Sequence, residues 1–159
     1  MFTKRTLENL ASLNDRACGV LQPFVVKATE LMDKEGVKVE VISGLRSFKQ
    51  QERLYAQGRT APGKIVTKAK PGSSWHNYGL AIDLGLFKDG KYLDSENPRL
   101  ADRLYQKLGK LAAEMGIEWA GTWKSFTEGP HFQVTFGLTL SQALAKLKAA
   151  NYDAEKLFA

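Results

Sequence analysis

The stretch SSWHNYGLAIDLGLF, residues 73–87, decides the fold because a polar segment passes here into an alternating apolar one. Successive side chains of a strand point to opposite faces of its sheet. The alternation therefore predicts a strand with Asp83 on a polar face. The side chains that it directs into the core are those of Leu80, Ile82 and Leu84.

His76 precedes this strand at a position that requires a bend. It lies seven residues before Asp83, and an odd offset would put it on the core face of a continuous strand. Gly79 can bend the chain without a Cβ penalty. Because Gly79 and Ala81 are small, we also expect open space above the sheet beside Asp83. A helix would also align His76 with Asp83, but the glycines of the stretch argue against one.

The second of the two histidines begins another alternating segment, HFQVTF, residues 131–136. The pattern predicts a strand whose core face holds Phe132, Val134 and Phe136. The opposite face then holds His131, Gln133 and Thr135. Because Asp83 has the same parity in its own strand, Asp83 and His131 can lie on one polar side of one sheet.

The other segments predict an α+β domain with a small, mainly antiparallel sheet flanked by helices. The first forty residues favour helix, and periodicity with glycine and proline signals places the other elements. Helices are expected at 47–59, 97–116 and 139–159, and strands at 37–44, 78–87, 117–121 and 131–136. An Asp-Gly turn at 89–90 should form a hairpin, and 60–74 an exposed loop. Residues 1–159 are expected to form a single domain.

Composition restricts the partners. A net charge of +6 suits an anionic partner such as nucleic acid, anionic lipid or an acidic wall polymer. The lysines are scattered without a recognisable motif, so nucleic acid is not expected. No apolar run approaches the roughly 18 residues that span a bilayer, so stable membrane insertion is not expected. The single cysteine, Cys18, is expected to be an inert buried thiol.

The N-terminal residues 1–19 are mixed and polar. They lack the apolar core and the cleavage site of a secretory signal peptide. We therefore expect a soluble cytoplasmic protein that reaches another compartment only when another agent releases it.

Two histidines and one carboxylate form a donor set suited to zinc. Two neutral imidazoles and one carboxylate leave a fourth position open in catalytic sites. Glu128 lies three residues before His131, and Pro130 disfavours helix at Gly129, so Glu128 is expected on a turn that enters the strand. From there Glu128 could move a proton without ligating the metal. The alternative is that each histidine is a structural hydrogen-bonding residue.

Three motifs resemble the zinc peptidases of the D-alanyl-D-alanine carboxypeptidase superfamily, whose fold is shared by the hedgehog signalling domain. They are SxHxxGxAxD from Ser74 to Asp83, ExPH from Glu128 to His131, and SGLRSFKQQ at 43–51. The last resembles the superfamily segment GYRSxxxQ, with Leu45 in place of the usual aromatic residue. The layout, over residues 37–136, is most similar to the L-alanyl-D-glutamate endopeptidase branch, which includes bacteriophage endolysins.

The resemblance implies that zinc is bound by His76, Asp83 and His131. It implies that Glu128 is the catalytic base and that Arg46 contacts the substrate carbonyl oxygen or a nearby carboxylate. A fixed guanidinium can stabilise an oxyanion and bind carboxylate with two hydrogen bonds, which agrees with that role. Ser74 and Gln51 are expected to contact substrate, and stabilisation of a turn is an equal alternative for Ser74.

One position departs from the branch. An acidic residue commonly precedes the tryptophan of the segment WKSFTEGPHFQ, but this chain has Thr122 there. The departure does not change the expected metal ligands. It affects the contacts that this segment is expected to make with substrate. Trp119 and Trp123 are candidates to wall a cleft, with core packing expected for at least one of them.

These features predict a monomeric zinc-dependent endopeptidase, a phage endolysin that hydrolyses the L-Ala–D-Glu bond of the stem peptide in bacterial peptidoglycan. Release from the host cytoplasm through a holin-made lesion would bring it to the wall. One alternative is a D,D-carboxypeptidase or dipeptidase acting on D-Ala-D-Ala ends, which would use the same zinc site. Another is a non-catalytic metal-binding module, although purely structural zinc sites are usually closed by four protein ligands.

Overall fold

The computed structural model describes residues 1–125 and 127–159; Phe126, within the segment WKSFTEGPHFQ, lies outside them. The helices of the described residues are α1 (Lys4–Ala11), α2 (Asp15–Asp33), α3 (Phe48–Ala56), α4 (Leu93–Glu96), α5 (Pro98–Glu114) and α6 (Leu140–Ala149). The strands are β1 (Lys38–Ser43), β2 (Ala81–Lys88), β3 (Lys91–Tyr92), β4 (Glu118–Trp119) and β5 (His131–Gln133). Short 3₁₀ turns occur at Trp75–Tyr78, Ala120–Thr122 and Ala154–Lys156.

The strands form one antiparallel sheet in the order β1-β2-β5-β4, and β3 also pairs with β2. The α+β fold class predicted from the sequence is therefore confirmed. Asp89 and Gly90, with φ of 51° and 75°, make the expected hairpin turn between β2 and β3. In the ladder of β2 and β5, Asp83 lies directly opposite His131. The register alone therefore brings these two side chains together.

One face of the sheet is packed into the core, as the alternation predicts. The residues that are fully buried on this face include Ile82 and Leu84 of β2, Phe132 of β5, and Leu80 just before β2. The Phe132 ring packs on Phe24 of α2, with 5.0 Å between the centroids. Each such buried side chain contributes about 1.5–3 kcal/mol to folding. The core thus holds β2 and β5 firmly, and their polar residues face the other way.

The expected bend before β2 is present. Residues 75–78 form a 3₁₀ turn, and Gly79 follows in the left-handed region with φ of 68°. Ser74 caps this turn, since its hydroxyl accepts a hydrogen bond from the His76 N–H. The turn, and not a strand, therefore places His76.

Open space does lie beside Asp83, as expected, but Gly79 and Ala81 do not provide it. A Cβ on Gly79 would lie 2.7 Å from the backbone nitrogen of Asn14, whose N–H donates to the Gly79 carbonyl. Ala81 is fully buried and lies opposite Gln133 in the ladder. The small residues therefore allow close packing of the chain, and neither of them lines the cleft.

The N-terminal helix is interrupted, where the sequence suggests one continuous helix over the first forty residues. Residues 12–14 separate α1 from α2 because Asn14 caps α2 by accepting from the Arg16 N–H. The Asn14 amide also donates to the Ala154 carbonyl, 2.8 Å away. Leu13, in the same break, is buried in the core. The cap at Asn14 and the burial of Leu13 therefore break the helix, although the sequence periodicity favours a continuous one.

The C-terminal elements are shorter than expected. β5 ends at Gln133, and Phe136 with φ of 51° turns the chain out of the strand. Helix α6 ends at Ala149 because Asn151 and Tyr152 take left-handed conformations. Positive φ values of this kind terminate helices. Among the described residues no helix is long and apolar enough to cross a membrane.

Candidate metal centre

Three side chains converge on the polar face of the sheet. His76 Nε2 and His131 Nδ1 each lie 3.2 Å from Asp83 Oδ1, and the two nitrogens are 3.2 Å apart. One donor atom from each residue lies within 4.8 Å of the others. His76 and His131 are buried, with only 2% and 5% of their surface exposed. Such convergence of buried donors is the geometry of a metal site with three protein ligands.

Each histidine has a second hydrogen bond that turns one ring nitrogen inward. His76 Nδ1 lies 2.8 Å from the Gly44 carbonyl, so Nδ1 donates and Nε2 keeps its lone pair. His131 Nε2 lies 2.7 Å from Gln133 Oε1, so Nε2 donates and Nδ1 keeps its lone pair. Metal-ligating histidines are commonly held by such partners. In the neutral imidazoles, both inward nitrogens therefore carry the lone pair that a cation needs.

The charge of Asp83 is stabilised by its neighbours in the metal-free protein. Burial would raise the pKa of Asp83, but His76 and His131 outweigh burial and hold that pKa well below its ordinary range. Arg46 adds a cation, with Nη2 3.8 Å from Asp83 Oδ2. Asp83 is thus a carboxylate at any pH at which the protein functions.

Glu128 lies beside the three candidate ligands and outside their cluster. It precedes the Gly129–Pro130 turn that enters β5, as the proline predicts, and its Oε2 is 3.9 Å from His131 Nδ1. Burial raises the pKa of Glu128 above its ordinary value, and His131 only partly opposes this effect. A half-buried carboxylate with a raised pKa at a cleft is suited to exchanging protons.

Arg46 is held in a fixed orientation at the same centre. Its Nη1 donates to Gln51 Oε1 at 3.1 Å, and its Nη2 donates to Ser43 Oγ at 3.2 Å. Its backbone N–H also donates to the His76 carbonyl. The guanidinium faces the cleft and is already ordered, so binding a ligand costs it little side-chain entropy.

Gln51 does not lie in the cleft, where a substrate contact is expected. It is fully buried, and its amide donates to the Ala69 carbonyl while its oxygen accepts from Arg46. Gln51 thus orients Arg46 and does not line the cleft. Ser74 does line the cleft, but its hydroxyl caps the turn that carries His76.

The centre lies in a cleft of about 780 Å³. The walls include Val66, Thr67, Trp75, Tyr92, Trp123 and Ser125. The Trp123 ring lies 5.4 Å from the His131 ring, whereas Trp119 packs on Phe132 in the core. Thr122 is exposed, and its hydroxyl donates to the Trp119 carbonyl. One tryptophan thus walls the cleft and the other packs in the core.

Sequence reasoning missed two residues behind His131. Gln133 is buried, accepts from His131 and donates to a Glu118 carboxylate oxygen. The alternation put Gln133 on the polar face, but it carried no signal that Glu118 would lie opposite it. That pairing depends on the register of β4 with β5.

Two imidazoles, one carboxylate and an open side toward a cleft are the donor set of hydrolytic zinc enzymes. The α+β fold and this donor set are therefore typical of single-metal hydrolases. The adjacent Glu128 and Arg46 provide groups for proton transfer and for binding negative charge.

The sequence model of a family described as D-alanyl-D-alanine carboxypeptidase matches residues 67–134. This segment contains all three candidate ligands and Glu128. Over these residues the chain is similar to that family.

Individual relatives extend the similarity. The peptidoglycan L-alanyl-D-glutamate endopeptidase CwlK of Bacillus subtilis is 43% identical over 107 residues, which cover 63% of this chain and 62% of CwlK. The L-alanyl-D-glutamate peptidase of Listeria phage A118 is 25% identical over 85% of this chain and 42% of its own length. The chain thus spans less than two thirds of the curated relatives it matches.

A solved structure covers more of the molecule. The Serratia marcescens L-Ala D-Glu endopeptidase ChiX is 28% identical, with a TM-score of 0.53 over 85% of this chain and 90% of ChiX. The vancomycin resistance D,D-pentapeptidase VanY, 18% identical with a TM-score of 0.50, shows the same fold over 92% of this chain and 84% of VanY.

The protonation of His131 predicts how stability changes with pH. Burial lowers the pKa of His131, but the hydrogen bond and charge of Asp83 outweigh burial and raise that pKa above its ordinary value. Protonated His131 therefore stabilises the metal-free fold below a pH of about 6.5, and this stabilisation is lost as pH rises through the raised pKa. Zinc requires neutral imidazoles, so the stabilisation that it adds should grow with pH.

We therefore expect urea denaturation to show that the free energy of unfolding of the metal-free protein falls between pH 6 and pH 8. The increase in this free energy on adding zinc should become larger over the same range. In the variant His131→Gln, the stability of the metal-free protein should no longer fall as pH rises. A metal-free stability that stays constant or rises over this range would contradict the assignment.

Proposed function

We propose that residues 1–159 form one zinc peptidase domain that hydrolyses the L-Ala–D-Glu bond of the peptidoglycan stem peptide. The observation that carries the proposal is the convergence of His76, Asp83 and His131 in a cleft that Glu128 and Arg46 also reach. CwlK and ChiX, the relatives with this activity in their names, support the choice of bond.

The residues present would hold zinc through two nitrogens and one carboxylate oxygen. Zinc in such a site supplies Lewis-acid polarisation of an acyl oxygen and activates water at neutral pH. Glu128 would accept a proton from the attacking water as the C–O bond forms. It would then donate that proton to the amine as the C–N bond breaks. Burial raises the pKa of Glu128, which makes its carboxylate a stronger base than an exposed one.

Arg46 would bind negative charge in the same cleft. Its guanidinium is fixed by Gln51 and Ser43, so its remaining N–H groups are aligned before substrate arrives. It can stabilise the acyl oxygen in the transition state or bind a carboxylate of the D-glutamate residue.

Replacing this guanidinium tests that role. Arg46→Lys should lower catalytic efficiency on purified peptidoglycan by roughly ten- to a thousand-fold, because lysine lacks the planar fork. Zinc content should stay near one per chain. Arg99→Lys, at an exposed position of α5, is the matched control. Lysis by Arg46→Ala at the wild-type rate would show that Arg46 is only a surface charge.

The bond that is cleaved can be identified from the products. Purified peptidoglycan is digested and the fragments are analysed by mass spectrometry. New N-terminal D-glutamate and C-terminal L-alanine would support the endopeptidase. Release of D-alanine or D-Ala-D-Ala would instead establish the second candidate, a D,D-carboxypeptidase or dipeptidase. That candidate is favoured by the bifunctional dipeptidase and carboxypeptidase VanXYC of Enterococcus gallinarum, 40% identical over 43% of this chain and 39% of VanXYC.

We further propose that the chain acts as a monomeric phage endolysin that reaches the wall from the host cytoplasm through a holin-made lesion. The similarity to the Listeria phage peptidase over 85% of this chain supports a phage role. The net charge of +6 would favour contact with acidic wall polymers.

A further inference from the structure

Gln133 lines both the cleft of the candidate metal centre and a second hollow. Only 3% of its surface is exposed, although it is a polar residue. Its side chain borders the cleft, and it also borders a hollow of about 500 Å³ whose lining includes Glu118. Glu118 itself does not line the cleft.

A short chain of hydrogen bonds runs through this amide. Glu118 lies directly opposite Gln133 in the ladder of β4 and β5, and a Glu118 carboxylate oxygen accepts from Gln133 Nε2. Gln133 Oε1 lies 2.7 Å from His131 Nε2. The other ring nitrogen of His131, Nδ1, faces His76 and Asp83.

The polarity of this chain of hydrogen bonds is set at the carboxylate end. An ionised carboxylate can only accept hydrogen bonds, so it requires the amide NH₂ group of Gln133 to face it. The amide oxygen must then face His131, and His131 Nε2 must carry the proton. His131 Nδ1 is left with the lone pair that a metal needs.

We propose that Glu118 acts through Gln133 as a positioning residue that fixes His131 in its metal-binding tautomer. Glu118 touches neither the ligand atoms nor the cleft, so its influence on the metal depends on the amide. The proposal rests on the zinc site of the proposed function. It adds two residues that would tune the affinity of that site for zinc.

The strongest test replaces the hydrogen-bond acceptor at position 118 with a hydrogen-bond donor. In Glu118→Lys the new ammonium can only donate, so the amide oxygen of Gln133 turns toward it and the NH₂ group turns toward His131. His131 Nε2 must then accept, which places the proton on the metal-binding Nδ1. We expect zinc affinity to fall by about tenfold, at the lower end of the 10- to 100-fold typical of such partners.

Two further variants separate this effect from charge alone. Glu114→Lys makes the same charge change at an exposed position on the last turn of α5 and should leave zinc affinity within about twofold of wild type. Adding Gln133→Glu to Glu118→Lys supplies a carboxylate that accepts from both neighbours. This double variant should restore zinc affinity to within a few-fold of wild type.

The measurement is competition for zinc with a chromophoric chelator, together with the melting temperature of the metal-free proteins. Glu118 is exposed, so folding should survive its replacement. Equal zinc affinity in Glu118→Lys and Glu114→Lys would overturn the proposal, as would a loss that Gln133→Glu does not repair. A wild-type protein that binds no zinc would instead refute the proposed function itself, since no peptidoglycan is present in this assay.

Discussion

Glu128→Gln is expected to keep about one zinc per chain and to hydrolyse peptidoglycan roughly 100- to 10,000-fold more slowly, the usual contribution of general acid–base catalysis. The physical reason is that Glu128 stands beside the ligands and not among them, 3.9 Å from His131 Nδ1. Glutamine keeps the volume and polarity of the side chain but cannot accept the proton. Because Glu128 is half-buried at an open cleft, its replacement leaves no cavity and should change folding little.

The informative measurement is zinc content and hydrolysis rate in the same preparation. Glu30→Gln, exposed on α2, is the matched control and should match wild type in both. Loss of metal in Glu128→Gln would make Glu128 a fourth ligand of a closed site and would favour a non-catalytic metal-binding module. Retention of both metal and full activity would mean that another group is the base.

Removal of any one ligand should abolish zinc binding and wall lysis together. His76→Ala, Asp83→Ala and His131→Ala each leave two donors where three converge within 4.8 Å. Two protein ligands bind zinc far more weakly than the three of a catalytic site. Since the reaction requires the metal, lysis should fall to background in all three variants.

Zinc content after dialysis and turbidity of a wall suspension are the two measurements. Asp102→Ala, exposed on α5, serves as the control for Asp83→Ala. Metal-free circular dichroism should show that the variants still fold. Full zinc occupancy in the three ligand variants would refute the site.

The sequence predicted that the three candidate ligands lie together because strand parity is a strong constraint. Asp83 and His131 follow from the alternation of two apolar segments, and the offset of His76 required the bend that Gly79 makes. The start of α5 was equally clear, since Asn97 caps it and Pro98 fits its first turn. These features depend on local sequence alone.

Parity does not show which residues lie opposite one another. Three features that the sequence did not predict depend on contacts between distant parts of the chain. The contact of Glu118 with Gln133 depends on strand register, and the burial of Gln51 depends on the path of the loop around Ala69. The break at Asn14 depends on a partner 140 residues away, Ala154. Long-range pairing of this kind leaves no periodic signal in a single sequence.

The candidate ligand His131 lies far along the chain from the other two, His76 and Asp83, and this separation has a mechanical consequence. Asp83 and His131 are 48 residues apart, and His76 and His131 are 55 apart. Cys18 is the single cysteine, so no disulfide cross-links the molecule. A zinc ion on all three side chains would be its cross-link, closing long loops that the unfolded chain leaves open. At a free zinc concentration of 100 times Kd, this cross-link adds about 2.7 kcal/mol to stability. A chelator would therefore weaken the attachment of β5 to β2 while it stops the reaction.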